Sequence, residues 1–328
     1  MKVAIEAAVY VLLLCLVLLG CRSAPPDFEP IIKPGGDGQD TCFCQSQIDS
    51  VTFVNIPVKS LPKPQFSDTL SGQVYATKIS LLADSLPTET KFELSIDQGK
   101  NWTESNCFIV KDTMEVWGRL KCKDIVSPVS KVRVHTFYER VFVVGNSITG
   151  HGVAPELGWY GDWGMAASAK EMDYLSLLTK RLKLLNPKVE IRVSYDIGFE
   201  RSYNNYDFTK LDDIAAWKPD LLIMRIGENT NMSYLNQFQD KYDQYILKVI
   251  SQSETKVVCS TTFWRSTMEA TYRIRNIAGL RVYKVAELEP LMNDTLYTAR
   301  GLFKNQAVAD HPGDKGMRAI ADIIIGQL

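Results

Sequence analysis

Three polar side chains in the 328-residue sequence sit where a rigid element could aim them at a reacting bond. Ser147 lies in Gly145-Asn146-Ser147-Ile148-Thr149, directly after the apolar run VFVV. A strand ending there presents the hydroxyl at the lip of a sheet, with helix-type backbone amides beginning behind it. A hydroxyl so placed is a nucleophile once a base takes its proton. His311, in Asp310-His311-Pro312-Gly313-Asp314, lies close to the C-terminus and leads into a final helical segment. A neutral imidazole of ordinary pKa, about 6.5, can accept that proton and return it to a leaving group. Asn229 closes Gly227-Glu228-Asn229 after DLLIMRI. A carboxamide on a strand end offers a neutral, rigid N–H to developing negative charge. Singly, these residues are a helix cap, a structural histidine and a turn residue. Together they describe acyl transfer.

The elements that must hold them follow from periodicity. From Arg140 onward RVFVVGNS, VEIRVSYD, DLLIMRIGEN, TKVVCSTTF and LRVYKVA read as strands. Met172, Leu175, Leu178, Leu182 and Leu185 recur at helical spacing, and further helices are predicted at 206–217, Leu235–Ile250, Thr267–Ala278 and Lys315–Gln327. Strands alternating with helices imply a doubly wound parallel α/β sheet of flavodoxin-like type over 139–328, whose ligands gather at the carboxyl ends of the strands. Residues 48–138 differ. They hold short β-branched and aromatic segments separated by Pro62, Pro64, Pro87 and Asp97-Gln98-Gly99-Lys100, the pattern of a small all-β sandwich.

Blocks Gly-Asn-Ser-Ile, Gly-Glu-Asn and Asp-His-Pro, in that order on successive α/β elements, resemble the SGNH/GDSL hydrolases. That resemblance implies an oxyanion hole made by the Ser147 amide, the Asn229 carboxamide and the amide of Gly198, here within Tyr195-Asp196-Ile197-Gly198. It also implies an acid three residues before His311, where this chain has Val308. Asp310 is the remaining candidate, so the reading is a Ser147–His311 dyad with Asp310 possible as an orienting acid. Asn146 replaces the family's Asp without touching the nucleophile. Glu200 and Arg201 are expected as a structural ion pair beside the site. The insert HGVAPELGWYGDWG carries Trp159 and Trp163, either sugar-stacking platforms or packing residues, and resembles inserts in exported hydrolases of Bacteroidetes. The SIDQGKNW hairpin resembles a turn of immunoglobulin-like domains in secreted carbohydrate-active proteins. Its Trp102, like Trp117, is either a sugar platform or hairpin packing. The implied activity is a serine esterase, with a polysaccharide or small-molecule ester as partner. A glycan-binding lipoprotein with weakened chemistry, or a lipase or thioesterase, are the rivals.

The formal charge is −1, from 37 Lys and Arg against 38 Asp and Glu, which gives no basic field for nucleic acid. No HExxH, paired CxxC or glycine-rich phosphate loop occurs, and neither metal nor cofactor is implied. Residues 8–20 form an apolar run too short to span a bilayer, and 1–20 read as a signal peptide. The ending Leu-x-Gly-Cys resembles a lipobox. It makes Cys21 the lipidated residue of an exported, membrane-anchored protein, followed by a Pro- and Gly-rich tether over 21–47. Among the remaining cysteines, Cys107–Cys122 is the first pair to test as a disulfide.

Overall fold

Five strands build the sheet that carries the site, and the three inner ones are nearly continuous buried runs while the edges are more exposed. The five are β1 (Arg140–Gly145), β2 (Glu190–Tyr195), β3 (Leu221–Arg225), β4 (Lys256–Ser260) and β5 (Lys284–Ala286). The computed structural model describes residues 43–44, 52–54, 59–292 and 294–328. Every pairing among the five strands is parallel, in the order β2-β1-β3-β4-β5. In this flavodoxin-like order the winding reverses between β1 and β3, and the carboxyl ends of those two strands flank the crevice where ligands bind.

Strand alternation sorts the side chains onto two cores. Val141, Val143, Leu221 and Ile223 face Leu178 and Leu182 of α1 (Tyr174–Leu185) and Met317, Ile320 and Ile324 of the C-terminal helix, Asp314–Ile325. Phe142, Val144, Leu222 and Met224 face the opposite layer, α2 (Ile197–Ser202), α3 (Asp212–Trp217), α4 (Leu235–Val249) and α5 (Met268–Arg281). Each such side chain contributes about 1.5–3 kcal/mol on full burial. A one-turn helix, α6 (Gln306–Ala309), precedes the C-terminal helix, hereafter α7. Asp220 locks the start of the sheet by accepting the N–H groups of Glu139 (2.7 Å) and Arg140 (2.9 Å). The fifth strand is shorter than LRVYKVA predicts. Leu280 and Arg281 extend α5 because Arg281 pairs with Asp243 of α4 (2.6 Å), and Val282 ends the helix at φ 59°.

The strands before residue 138 form separate layers. Lys91–Ser95, Met114–Cys122 and Ser130–Phe137 pair antiparallel, with Thr103–Glu104 at one edge and Gly72–Val74 parallel at the other. Gln65–Phe66, Thr77–Leu82 and Cys107–Val110 make a three-stranded sheet. Phe66, Ile79, Leu81, Phe92, Leu94, Phe108, Val116 and Leu120 form their common core. Trp102 lies under Arg119 (3.9 Å) and Trp117 under Lys131 (3.6 Å), so both indoles are engaged in packing. Residues Cys42–Leu328 form one compact unit, in which Lys256 of β4 reaches both Leu328 O (2.8 Å) and Asp112 (3.7 Å).

The disulfide differs from the expected one. Phe43 pairs antiparallel with Phe108, which sets Cys44 against Cys107 with Cα atoms 5.4 Å apart, and these two residues are bonded. Cys122 is free and buried, its thiol directed at Thr88 O (3.6 Å). The segment read as a tether is therefore already attached to a strand at residues 43–44. Cys42, the signal segment 1–20 and Cys21 lie outside the described residues.

Candidate active site

Ser147 follows β1 by two residues, and the turn that holds it needs glycine at Gly145. A Cβ there would fall 1.8 Å from Thr149 Oγ1. Asn146 O accepts the N–H groups of Thr149 (2.9 Å) and Gly150 (3.0 Å), and Asn146 Oδ1 accepts that of Ile148 (3.2 Å). Thr149 Oγ1 in turn bonds Tyr174 Oη of α1 (2.6 Å). The hydroxyl of Ser147 is thereby fixed at the carboxyl edge of the sheet, partly exposed.

His311 arrives from the other end of the chain, and its Nε2 lies 2.8 Å from Ser147 Oγ. Its Nδ1 lies 2.7 Å from the carbonyl oxygen of Ala307. A carbonyl can only accept, so Nδ1 carries the hydrogen and Nε2 presents a lone pair to the serine hydroxyl. The ring is 7% exposed and packs edge-to-face against Trp264, centroids 5.0 Å apart. Burial pushes its pKa down to about 4, against the opposing pull of the Ala307 carbonyl and Glu228. At neutral pH the imidazole is a free base.

Asp310 does not orient this ring. Its carboxylate binds Arg300 Nε (2.6 Å) and Gln306 Nε2 (2.6 Å), and its carbonyl accepts Trp264 Nε1 (2.8 Å). The reason lies in the one-turn helix α6. Asn305 caps it, Val308 sinks into the core, and Ala307 O projects at the imidazole from the last turn before it. Residue 310 then points outward.

On the opposite side of Ser147, the segments after β1, β3 and β4 meet on two buried carboxylates that lie 28 residues apart in the chain. Glu200 of α2 accepts Asn146 Nδ2 (3.0 Å), Gly227 N (2.5 Å), Asn229 N (3.2 Å) and Asn229 Nδ2 (2.8 Å). Glu228 accepts Asn146 Nδ2 (2.7 Å), Arg225 Nη1 (2.7 Å) and Phe263 N (2.8 Å). The expected Glu200–Arg201 pair is absent, because Glu200 turns inward while Arg201 is exposed. The two hydrogens of Asn146 Nδ2 each face a carboxylate. This explains why an amide stands where Asp would be a third like charge. Gly227, at φ 140° with its Cβ position 2.7 Å from Thr262 Cγ2, lets the loop after β3 turn over the network. A glutamate next to Gly227 at the end of an apolar strand was the available signal.

Gly198 is exposed in the first turn of α2, two residues from Glu200. Among the described residues no backbone carbonyl takes the N–H of Ser147 or Gly198. Trp159 is buried, packed on Trp163 (5.6 Å) and Phe303 (6.0 Å), and Trp163 Nε1 donates to Ala167 O (2.9 Å). Both serve packing, and Trp159 offers no open face. The open space lies beside His311 instead, a cleft of about 570 Å³ whose walls include Trp264, Met292, Thr295, Thr298 and Arg300. Among the described residues no group of His, Cys, Asp and Glu is arranged to hold a metal.

No family model matches the sequence, and no curated protein does. Solved structures are similar to little more than half of the chain, at low identity. An α/β hydrolase from the metagenome of Lake Arreo, Spain, is 15% identical over 58% of this chain and 94% of its own, with a TM-score of 0.41. An acetyl xylan esterase from Geobacillus stearothermophilus is 18% identical over 58% and 94%, with a TM-score of 0.40. A two-domain esterase active on acetylated mannans is 17% identical over 57% and 48%, with a TM-score of 0.39.

Proposed function

We propose that this chain is a serine ester hydrolase of the SGNH type, acting on acyl esters of a carbohydrate. The observation that carries the reading is the relay Ser147 Oγ–His311 Nε2 (2.8 Å) and His311 Nδ1–Ala307 O (2.7 Å). Ser147 attacks the ester carbonyl and passes its proton to Nε2. The oxyanion is held by the N–H groups of Ser147, Asn229 and Gly198. Collapse expels the alcohol, which takes the proton back from Nε2. Water then enters, gives a proton to Nε2 as its oxygen adds to the acyl carbonyl, and collapse releases the acid while Ser147 Oγ takes that proton back.

The leaving alcohol takes its proton on the imidazole side, and there the cleft offers one indole, the hydroxyls of Ser266, Thr295 and Thr298, and the guanidinium groups of Arg265 and Arg300. Such a wall suits a hydroxyl-rich alcohol better than an acyl chain. The same reading includes export and anchoring through a lipidated Cys21. Replacement Cys21→Ala should move the protein from the membrane to the soluble fraction.

A fluorophosphonate probe tests the chemistry. It should label Ser147, and Ser147→Ala should abolish labelling and acetate release from acetylated xylan or mannan. His311→Ala should slow turnover by about 10²–10⁴. A folded wild-type protein whose Ser147 stays unlabelled would sink the proposal.

A further inference from the structure

Glu200 is fully buried, yet among the described residues no cation pairs with it; the guanidinium of Arg225 goes to Glu228. A carboxylate in that condition costs several kcal/mol unless its oxygens are saturated with donors. They are. Four N–H groups converge on it, and all belong to the segments that follow β1 and β3. Burial raises the Glu200 carboxyl above the usual range. A proton on it would nevertheless need an acceptor, and each partner within hydrogen-bond reach is a donor. The pocket fits the ionised form.

Resting on the esterase reading above, we infer that Glu200 is a positioning residue that holds the Asn229 carboxamide with one N–H committed and the other free for the oxyanion. A carboxamide on its own can present either its nitrogen or its oxygen with little difference in energy. An acceptor-only partner removes that choice. Glu200 Oε2 takes Nδ2 at 2.8 Å, and Oε1 takes the backbone N–H of the same residue at 3.2 Å, so side chain and main chain are gripped together. Oε1 also binds Asn146 Nδ2 (3.0 Å), which ties the grip to the residue preceding the nucleophile. A rotated carboxamide would aim a lone pair at developing negative charge. The carboxylate therefore converts an adaptable side chain into a fixed donor.

Glu200→Gln is the minimal test. The glutamine oxygen can keep the bonds to Asn146, Gly227 N and Asn229 N, while its amide confronts Asn229 Nδ2 donor to donor. With p-nitrophenyl acetate, kcat should fall by about 10²–10³, the loss typical of one oxyanion donor, with KM changed little. Asn229→Ala should lose a similar factor, and the double variant should be no slower than Asn229→Ala alone. Multiplying losses, or a Glu200→Gln enzyme as fast as wild type, would overturn the inference while leaving the esterase reading intact. A wild type without turnover or labelling would instead remove the esterase reading. If Glu200→Gln does not fold, a crystal structure of the phosphonylated wild type decides. Asn229 Nδ2 should lie within hydrogen-bond distance of both Glu200 Oε2 and the phosphoryl oxygen, and failure of either contact refutes the role.

Discussion

The two flanks of Ser147 are built on opposite principles. On one side lie two buried carboxylates, a bridging asparagine and the loop after β3, with Asn146, Glu228 and Asn229 just past the ends of the buried strands β1 and β3 and Glu200 on α2. On the other, the imidazole leans on a backbone carbonyl and an indole, with the carboxylate of its chain neighbour Asp310 turned toward Arg300. The first flank is charged and rigid, and the second is neutral and carried by a short helix and its loop. Negative charge developing on the substrate therefore meets a prearranged set of donors. The imidazolium formed at the same moment is favoured by the Ala307 carbonyl and by the fields of Glu228 and Asp310, none of which outweighs its burial. An arrangement of this kind keeps the base neutral and ready at the expense of stabilising its charged form.

The largest disturbance of the contrast is Asn146→Asp, which sets a third carboxylate against Glu200 and Glu228. A buried charge without compensation costs about 3–5 kcal/mol. Urea unfolding at pH 7 should show a deficit of that order. The crowded carboxyls take a proton more readily in the folded state than in the unfolded one, so the deficit should shrink as the pH falls toward 4. A deficit independent of pH would mean that the amide does not separate two anions.

The neutral flank is sharpened by the pH profile. With His311 held down at about 4, kcat/KM should rise through pH 4 and be flat by pH 6, whereas a solvated imidazole would place that limb near its ordinary value of about 6.5. The sign for stability is the same. Between pH 6.5 and 4 the unfolded chain binds a proton at this residue that the native state refuses, so stability contributed by the neutral ring falls as the solution is acidified through that interval. An acid limb above pH 6 contradicts the burial argument.

The smallest effect is expected from Asp310→Asn, a change of less than about tenfold in kcat, since general-base factors of about 10²–10⁴ belong to the imidazole and not to a residue facing away from it. A loss as large as that of His311→Ala would mean that the carboxylate swings to Nδ1 during turnover.

Much of this was legible before any coordinate. Alternating buried strands and amphipathic helices showed through periodicity, and Ser147, Asn229 and His311 each sit at the end of an element whose pattern is local. Val308 in place of an acid already pointed to a dyad. Glu200 was misread because Arg201 is its nearest opposite charge along the chain. Nothing in sequence spacing shows that α2 turns residue 200 into the sheet edge and leaves 201 in solvent. Cys107 was matched with Cys122 for a similar reason, whereas the antiparallel bridge of Phe43 to Phe108 selects Cys44.

Sequence alone thus determined the parallel sheet, because burial on both faces writes itself into consecutive apolar residues. It also determined which residue types stand at the strand ends. Tertiary structure alone decided their partners: Ala307 O rather than Asp310 for the imidazole, Glu200 for Asn229, and two glutamates for Asn146. Those choices turn on a few ångströms between residues far apart in the chain, a distance set by how helices pack on the sheet.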